Sequence, residues 1–374
     1  MKNNLEVKKL LFKVGLLSLP FVISFAVELY ILPIDFFTLR PWETLTVKSL
    51  KVMNGPFYPN QEVKQIATGE IAPHSPYAVP KPEYWVTDKY GYRNRNINNS
   101  PEVVLIGDSF VAGATLSQEN ILSEALKRRI NQEVYSFAAA TPDILSKFLL
   151  NKRFQKTPPK TIVFCRSERW VYNSPSIHDQ SIKDVWQAKI GHVVNDNLAL
   201  ANLVVTLDRI AKWPMYHYFR AKLDRHFKKP EFNLYQGELF LYGESVNNEV
   251  PEKEIKRIGN IIEEYSNVLK EKGIRFIFMP VPNKENIYYQ LLPSQQRANF
   301  LPRLFADLEA RGVEVINLQE PFKHAYYNQK LLLYPKDDNH WNKNGVNIAA
   351  NLLYNKLVLS HNKSIAVKHN QNKN

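Results

Sequence analysis

Apolar residues along the chain gather into short runs separated by helical patterns. VVLI (103–106), VYSF (134–137), TIVFC (161–165), IRFIFMPV (274–281) and VEVINL (313–318) are strand-length and mostly apolar. Runs that do not alternate with polar residues mark strands buried on both faces. Between them the period becomes helical. SQENILSEALKRRI (117–130) sets Ile121, Leu122, Ala125 and Leu126 on one face, with Ser117 as candidate N-cap. TPDILSKFLLNKRF (141–154) opens with Thr141 as N-cap and Pro142 at the first helical position. PEKEIKRIGNIIEEYSNVLKEKG (251–273) aligns six large apolar residues, from Ile255 to Leu269, ahead of Gly273 as candidate C-cap. Further helices are predicted within 294–312 and over 346–359. The alternation predicts an α/β fold: three layers, with a mostly parallel sheet of about five strands between helices.

Three segments break the alternation. MKNNLEVKKLLFK is basic, and residues 14–33 form a mostly apolar stretch of the length that spans a bilayer. The preceding positive charge puts the body of the protein outside the cytoplasm. The expectation is an uncleaved single-pass anchor over 1–33. Ser24-Phe25-Ala26 offers the alternative of a signal cleavage site. Residues 34–100 read as a Pro- and aromatic-rich extension, with a short helix in RPWETLTVKSL, extended chain around GPFYPN and IAPHSPYAVPKPEYW, and a turn at TDKYGYRNRN. Residues 166–250, rich in Trp and Tyr and carrying the basic run RAKLDRHFKKP, read as a mostly helical insertion or lid within a 101–359 domain. Residues 360–374 read as a disordered tail.

Composition narrows partners only slightly. The net charge of +13 suits an anionic glycan, anionic lipid or nucleic acid. No nucleic-acid motif is present, so nucleic acid is not an expected partner. Cys165 is the single cysteine and excludes an intrachain disulfide. His74, His178, His192, His217 and His226 are scattered without metal-ligand spacing, and no Gly-rich phosphate loop with its Lys-Ser/Thr occurs. Neither metal nor cofactor is expected.

The candidate chemistry lies at two strand ends. Ser109, in LIGDSFVAG, follows the first strand of the alternation. Sites in open α/β sheets lie beyond the carboxyl ends of strands. A serine hydroxyl needs a base, and the base needs an orienting group. His340, in KDDNHWN before the last helix, is the candidate base, with Asp337 and Asp338 close enough in sequence to fold back onto it.

GDSF resembles the nucleophile block of the SGNH, or GDSL-like, hydrolases, and DDNHW their C-terminal Asp/His block. WVTDKYGYRN, PVPNKENIY and DDNHWNKNG are similar to the membrane-linked branch that includes the alginate O-acetyltransferase accessory proteins. The similarity runs over roughly 84–358. It implies a flavodoxin-like core, Ser109 as nucleophile, His340 as base and an acyl-serine intermediate. The broad Asp-x-x-His pattern selects Asp337 as acid. The Asp-x-His-Trp pattern selects Asp338 and is favoured because Trp341 and Asn342 also match. The family's oxyanion glycine falls at Ala138-Ala139-Ala140, so Ala139 is the candidate backbone donor. The family's asparagine is absent from CRSERW, leaving Ser167 and Arg169, with Trp341, as oxyanion or substrate candidates. The resemblance further implies an O-acyl, usually O-acetyl, group moved on a surface polysaccharide in the periplasm, with a membrane-bound acyltransferase as partner. The changed oxyanion region keeps open a weak or inactive glycan-binding factor, and a general esterase remains a third alternative.

Overall fold

The structure is a computed structural model that describes residues 2–50, 52–73, 75–95, 100–179, 182–227, 232–245 and 249–371. His74 and residues 228–230 of the basic run lie outside the described residues.

The chain begins with α1 (Lys2–Tyr30), of which Glu6–Tyr30 is long and apolar enough to cross a membrane, at mean hydropathy 2.2. After α2 (Pro41–Leu45), the segment expected to be extended closes into an antiparallel hairpin of β1 (Glu62–Ala67) and β2 (Lys81–Val86). Its anchor is Trp85, fully buried edge-on against Trp42 and Phe57.

The α/β core starts at β3 (Val103–Gly107), followed by α3 (Ser109–Ala112), α4 (Leu122–Ile130), β4 (Val134–Ala138), α5 (Ile144–Leu150), α6 (Lys152–Lys156), β5 (Thr161–Cys165) and α7 (Glu168–Val171). The insertion is helical, with α8 (Ile182–Asp196), α9 (Leu198–Lys212) and α10 (Pro214–Phe227), then a small hairpin of β6 (Asn233–Tyr235) and β7 (Glu238–Phe240). The core resumes with α11 (Glu252–Glu271), β8 (Arg275–Phe278), α12 (Lys284–Ile287), α13 (Phe300–Ala310), α14 (Gln319–Tyr327) and α15 (Lys343–Gln371).

The central sheet is parallel, in the order β4-β3-β5-β8. Its strands are buried on both faces: Val103 and Leu105 join one apolar cluster, Val104 and Ile106 the other. This is why their sequences are uniformly apolar. α4 and α15 close one face, and α11 and α13 close the other.

Four expectations are corrected. The fifth strand is reduced to one parallel bridge, Phe278 to Val315. Just beyond it the Asn317 side chain accepts the Gln319 N–H, 2.8 Å, and turns the chain into α14. Ser117 precedes only a 3₁₀ turn, Gln118–Asn120, and its side chain does not cap it; its hydroxyl accepts the Tyr84 N–H of β2, 3.0 Å, and α4 starts only at Leu122. Thr141 bonds the Asp143 side chain, and α5 begins at Ile144. The last helix continues through Gln371, into the expected tail, because no Pro or Gly follows Gly345 to stop it. Gly273 behaves as expected. At φ +70° it lets Ile274 N–H reach the Leu269 carbonyl, 2.9 Å, and closes α11.

Candidate active site

The β3–α3 turn is built around Gly107 and Asp108. A Cβ on Gly107 would lie 1.9 Å from the Cys165 carbonyl oxygen, so only glycine lets β3 and β5 close at this point. Asp108 caps α3 through Oδ1, accepting the Phe110 N–H at 3.0 Å, and its Oδ2 accepts the Ser167 N–H at 2.9 Å. One carboxylate therefore fixes the ends of β3 and β5 together and leaves Ser109 at the first position of α3. Beneath, the buried Arg93 of KYGYRN donates to the carbonyls of Ala112 and Gly113 at the far end of α3.

His340 arrives from the loop before α15. Its Nε2 lies 2.7 Å from Ser109 Oγ and its Nδ1 lies 2.7 Å from Asp338 Oδ1. Asp338 Oδ1 also accepts the His340 backbone N–H, 2.8 Å, and its Oδ2 accepts the Glu70 N–H, 2.9 Å. Asp337 does not meet the imidazole. Its Oδ2 accepts the N–H groups of Gly69 and Val79, and its carbonyl accepts the Ile71 N–H. The two aspartates thus take different partners from one turn, Asp338 the imidazole and Asp337 the backbone of the N-terminal extension, a difference that spacing in sequence could not resolve.

Charge around the imidazole is unbalanced toward anions. Burial disfavours imidazolium, but Glu70, at 3.6 Å from Nδ1, and Asp338 outweigh it and raise the His340 pKa above its ordinary value. Burial likewise pushes Asp338 up, yet His340 outweighs it and holds the carboxyl well below the usual carboxylate range. Ligand-type atoms of Glu70, Asp338 and His340 lie within 4.8 Å of one another, a spacing a metal could use. The imidazole nitrogens and both Asp338 oxygens are, however, already engaged with one another, with Ser109 and with backbone N–H groups.

A cavity of about 320 Å³ opens over Ser109 and His340. Ser167, Arg169 and Trp170, just after the end of β5, line it, as does Leu241 beyond the β6–β7 hairpin. Arg169 is backed by the buried Glu285 at 3.5 Å. Ala139 does not serve: its N–H is bonded to the Gly107 carbonyl, 3.0 Å, and the residue lines a second cavity of about 480 Å³ beneath the N-terminal extension. Trp341 does not line the active-site cavity either. Fully buried, it donates from Nε1 to the Phe110 carbonyl, 3.1 Å, and so braces α3 against the histidine loop.

Sequence reasoning missed Arg40 and Glu70, which reach the cavity from the N-terminal extension, and Asn339, a buried wall residue whose side-chain amide has no hydrogen-bond partner among the described residues. PVPNKENIY by itself assigns Lys284 no task. That side chain is fully buried and donates to the carbonyls of Pro335 and Lys336, 2.8 and 2.9 Å, immediately before Asp337. The lysine in the motif was the available signal. Nothing in the sequence linked Glu70 to His340.

Residues 236–371 match the family described as "SGNH hydrolase-like domain, acetyltransferase AlgX". This segment holds Asp338 and His340 and overlaps the later part of the stretch, roughly 84–358, over which the sequence resemblance runs; Ser109 lies outside it. No curated protein matches the chain. Among solved structures, a lipase/acylhydrolase from Enterococcus faecalis is 13% identical, covering 69% of this chain and 95% of its own, at a TM-score of 0.35. A GDSL-like lipase from Bacteroides thetaiotaomicron is 12% identical, with 69% and 88% covered, at 0.33. A carbohydrate esterase family 2 enzyme from Corynascus thermopiles is 7% identical, with 76% and 73% covered, at 0.34.

Proposed function

We propose that this chain is a membrane-anchored, extracytoplasmic SGNH-type O-acyl transferase or esterase that moves an acetyl group on a cell-surface polysaccharide. The observation that carries the reading is the unbroken relay from Ser109 through His340 to Asp338 at the floor of a cavity. Ser109 Oγ attacks the ester carbonyl while His340 Nε2 takes its proton, and Asp338 stabilises the imidazolium. The tetrahedral intermediate collapses, the alcohol leaves with the proton returned by His340, and an acyl-serine remains. A sugar hydroxyl then gives its proton to His340 and attacks the acyl carbon, releasing Ser109. Water in the same position gives hydrolysis. The Ser109 N–H at the start of α3 and the Ser167 hydroxyl on the wall are the donors for the oxyanion. Arg40 and Arg169 suit an acidic glycan, and a membrane-bound acyltransferase would supply the acyl group. Retention of α1 as an anchor fits this placement.

A fluorophosphonate probe tests the reading. Labelling of the full chain that is abolished in Ser109→Ala supports the enzyme. The engaged Ala139 N–H and the missing asparagine after β5 favour a second reading, a glycan-binding factor on the same fold. That reading predicts no labelling with glycan binding retained.

A further inference from the structure

The insertion contains a helix built inside out for water. α9 carries three charged residues, Asp208, Arg209 and Lys212, and all are held by the protein. Asp208 is fully buried and accepts the N–H groups of Ser49 and Leu50 and the Tyr58 hydroxyl. Lys212 donates to the carbonyls of Glu43, Thr44 and Thr46, and Arg209 to that of Glu28. The opposite face presents Leu200, Leu203 and Leu207, spaced three and four apart, with Leu203 53% exposed. A water-facing amphipathic helix has the reverse arrangement. α10 adds the exposed Tyr216, Phe219 and Leu223 at the same spacing. An apolar surface of this extent marks an interaction site.

Its position says what covers it. The corner between α9 and α10 packs on α1: Trp213 lies 5.9 Å from Phe21 and 5.2 Å from Phe25 between ring centroids, and the Met215 N–H reaches Glu28 Oε2 at 3.3 Å. A bilayer core takes about 20 helical residues. Every window of that length within Glu6–Tyr30 contains both Phe21 and Phe25. If α1 spans, the corner that touches these rings is at hydrocarbon depth. We infer that α9 and the first turns of α10 lie in the lipid leaflet on the body's side, the leucine face of α9 against acyl chains, so that the enzyme grips the membrane by a second element besides α1. The inference rests on the anchor reading above.

The test uses the full chain in vesicles of phosphatidylcholine and phosphatidylglycerol. Nitroxide labels are placed singly at Leu17, Leu203, Leu207 and, as a control outside the platform, the exposed Ile66 of β1; Cys165 is buried and stays unlabelled. Collision with oxygen reports lipid, and collision with a nickel chelate reports water. At Leu203 and Leu207 oxygen is expected to dominate several-fold, as at Leu17, with the reverse at Ile66. Nickel-dominated Leu203 and Leu207 overturn the inference. So does shielding from both reagents, which means a second copy or a protein partner covers the face. Leu17 separates the two readings: nickel-dominated Leu17 removes the spanning anchor, and oxygen-dominated Leu203 and Leu207 alongside it still place α9 in lipid.

Discussion

The Glu70 carboxylate lies 3.6 Å from Nδ1 of His340, beside the nearer carboxylate of Asp338. Two anions therefore face one imidazole, and Glu70 comes from an extension that precedes the α/β core. In the proposed mechanism His340 must be neutral to take the Ser109 proton, so kcat/KM should rise with pH through a pKa above the ordinary histidine value of 6.5. Glu70→Gln removes an anion that stabilises imidazolium, lowers that pKa and moves the ascending limb to lower pH. A pH profile of ester turnover on both proteins checks it. An unmoved limb means Glu70 does not act on His340.

Asp338 and Asp337 separate by readout. Asp338→Asn removes the carboxylate on Nδ1 and should lower kcat on the order of 10⁴-fold. Asp337→Asn disturbs the acceptor of the Gly69 and Val79 N–H groups and should cost about 1–3 kcal/mol of stability, with a far smaller change in kcat. Denaturant unfolding beside single-turnover kinetics distinguishes the two.

Gly69 is where the extension meets the acid loop. A Cβ there would lie 2.0 Å from the Asp337 carbonyl oxygen, backbone that cannot give way cheaply. Gly69→Ala should push residues 69–71 off the loop, withdraw the Glu70 N–H from Asp338 and lower kcat more than it raises KM. Steady-state kinetics on the purified variant reads this split. It should also destabilise by about 1–3 kcal/mol, as overpacking does.

Lys284 positions the same loop from below. Burial lowers its pKa, opposed chiefly by Glu238 at 3.0 Å. Lys284→Met leaves Glu238 and two carbonyls without their donor, and breaking such a buried pair costs about 3–5 kcal/mol. Thermal unfolding should fall accordingly. At temperatures where the variant is folded, kcat should fall with it because the turn that carries Asp338 and His340 loses its support.

Most of the core was legible because its signals are local. TIVFC is β5 residue for residue, and Gly273 ends α11 with the backbone its place predicted. The meeting of Ser109 and His340 followed from topology, since both lie at one edge of a parallel sheet. What was not legible depends on tertiary partners. Val315 makes one bridge where a strand was expected, because Asn317 turns the chain. The Ala139 N–H is spent on the Gly107 carbonyl, a bond between neighbouring strand ends that local sequence does not reveal. Trp341 reads as a cavity residue in a motif but packs behind α3. Helical periodicity in α9 is the same whether its apolar face points inward or outward, so the inverted helix could not be recognised from spacing.

The proposed mechanism turns on an acyl group carried by Ser109. Rapid quenching of the full chain with an activated acetyl ester, followed by intact-mass and peptide analysis, reads it directly. The expected result is one acetyl group on the peptide bearing Ser109, absent in Ser109→Ala and greatly reduced in Asp338→Asn. No acetyl adduct, or an adduct that persists at another residue in Ser109→Ala, would contradict it.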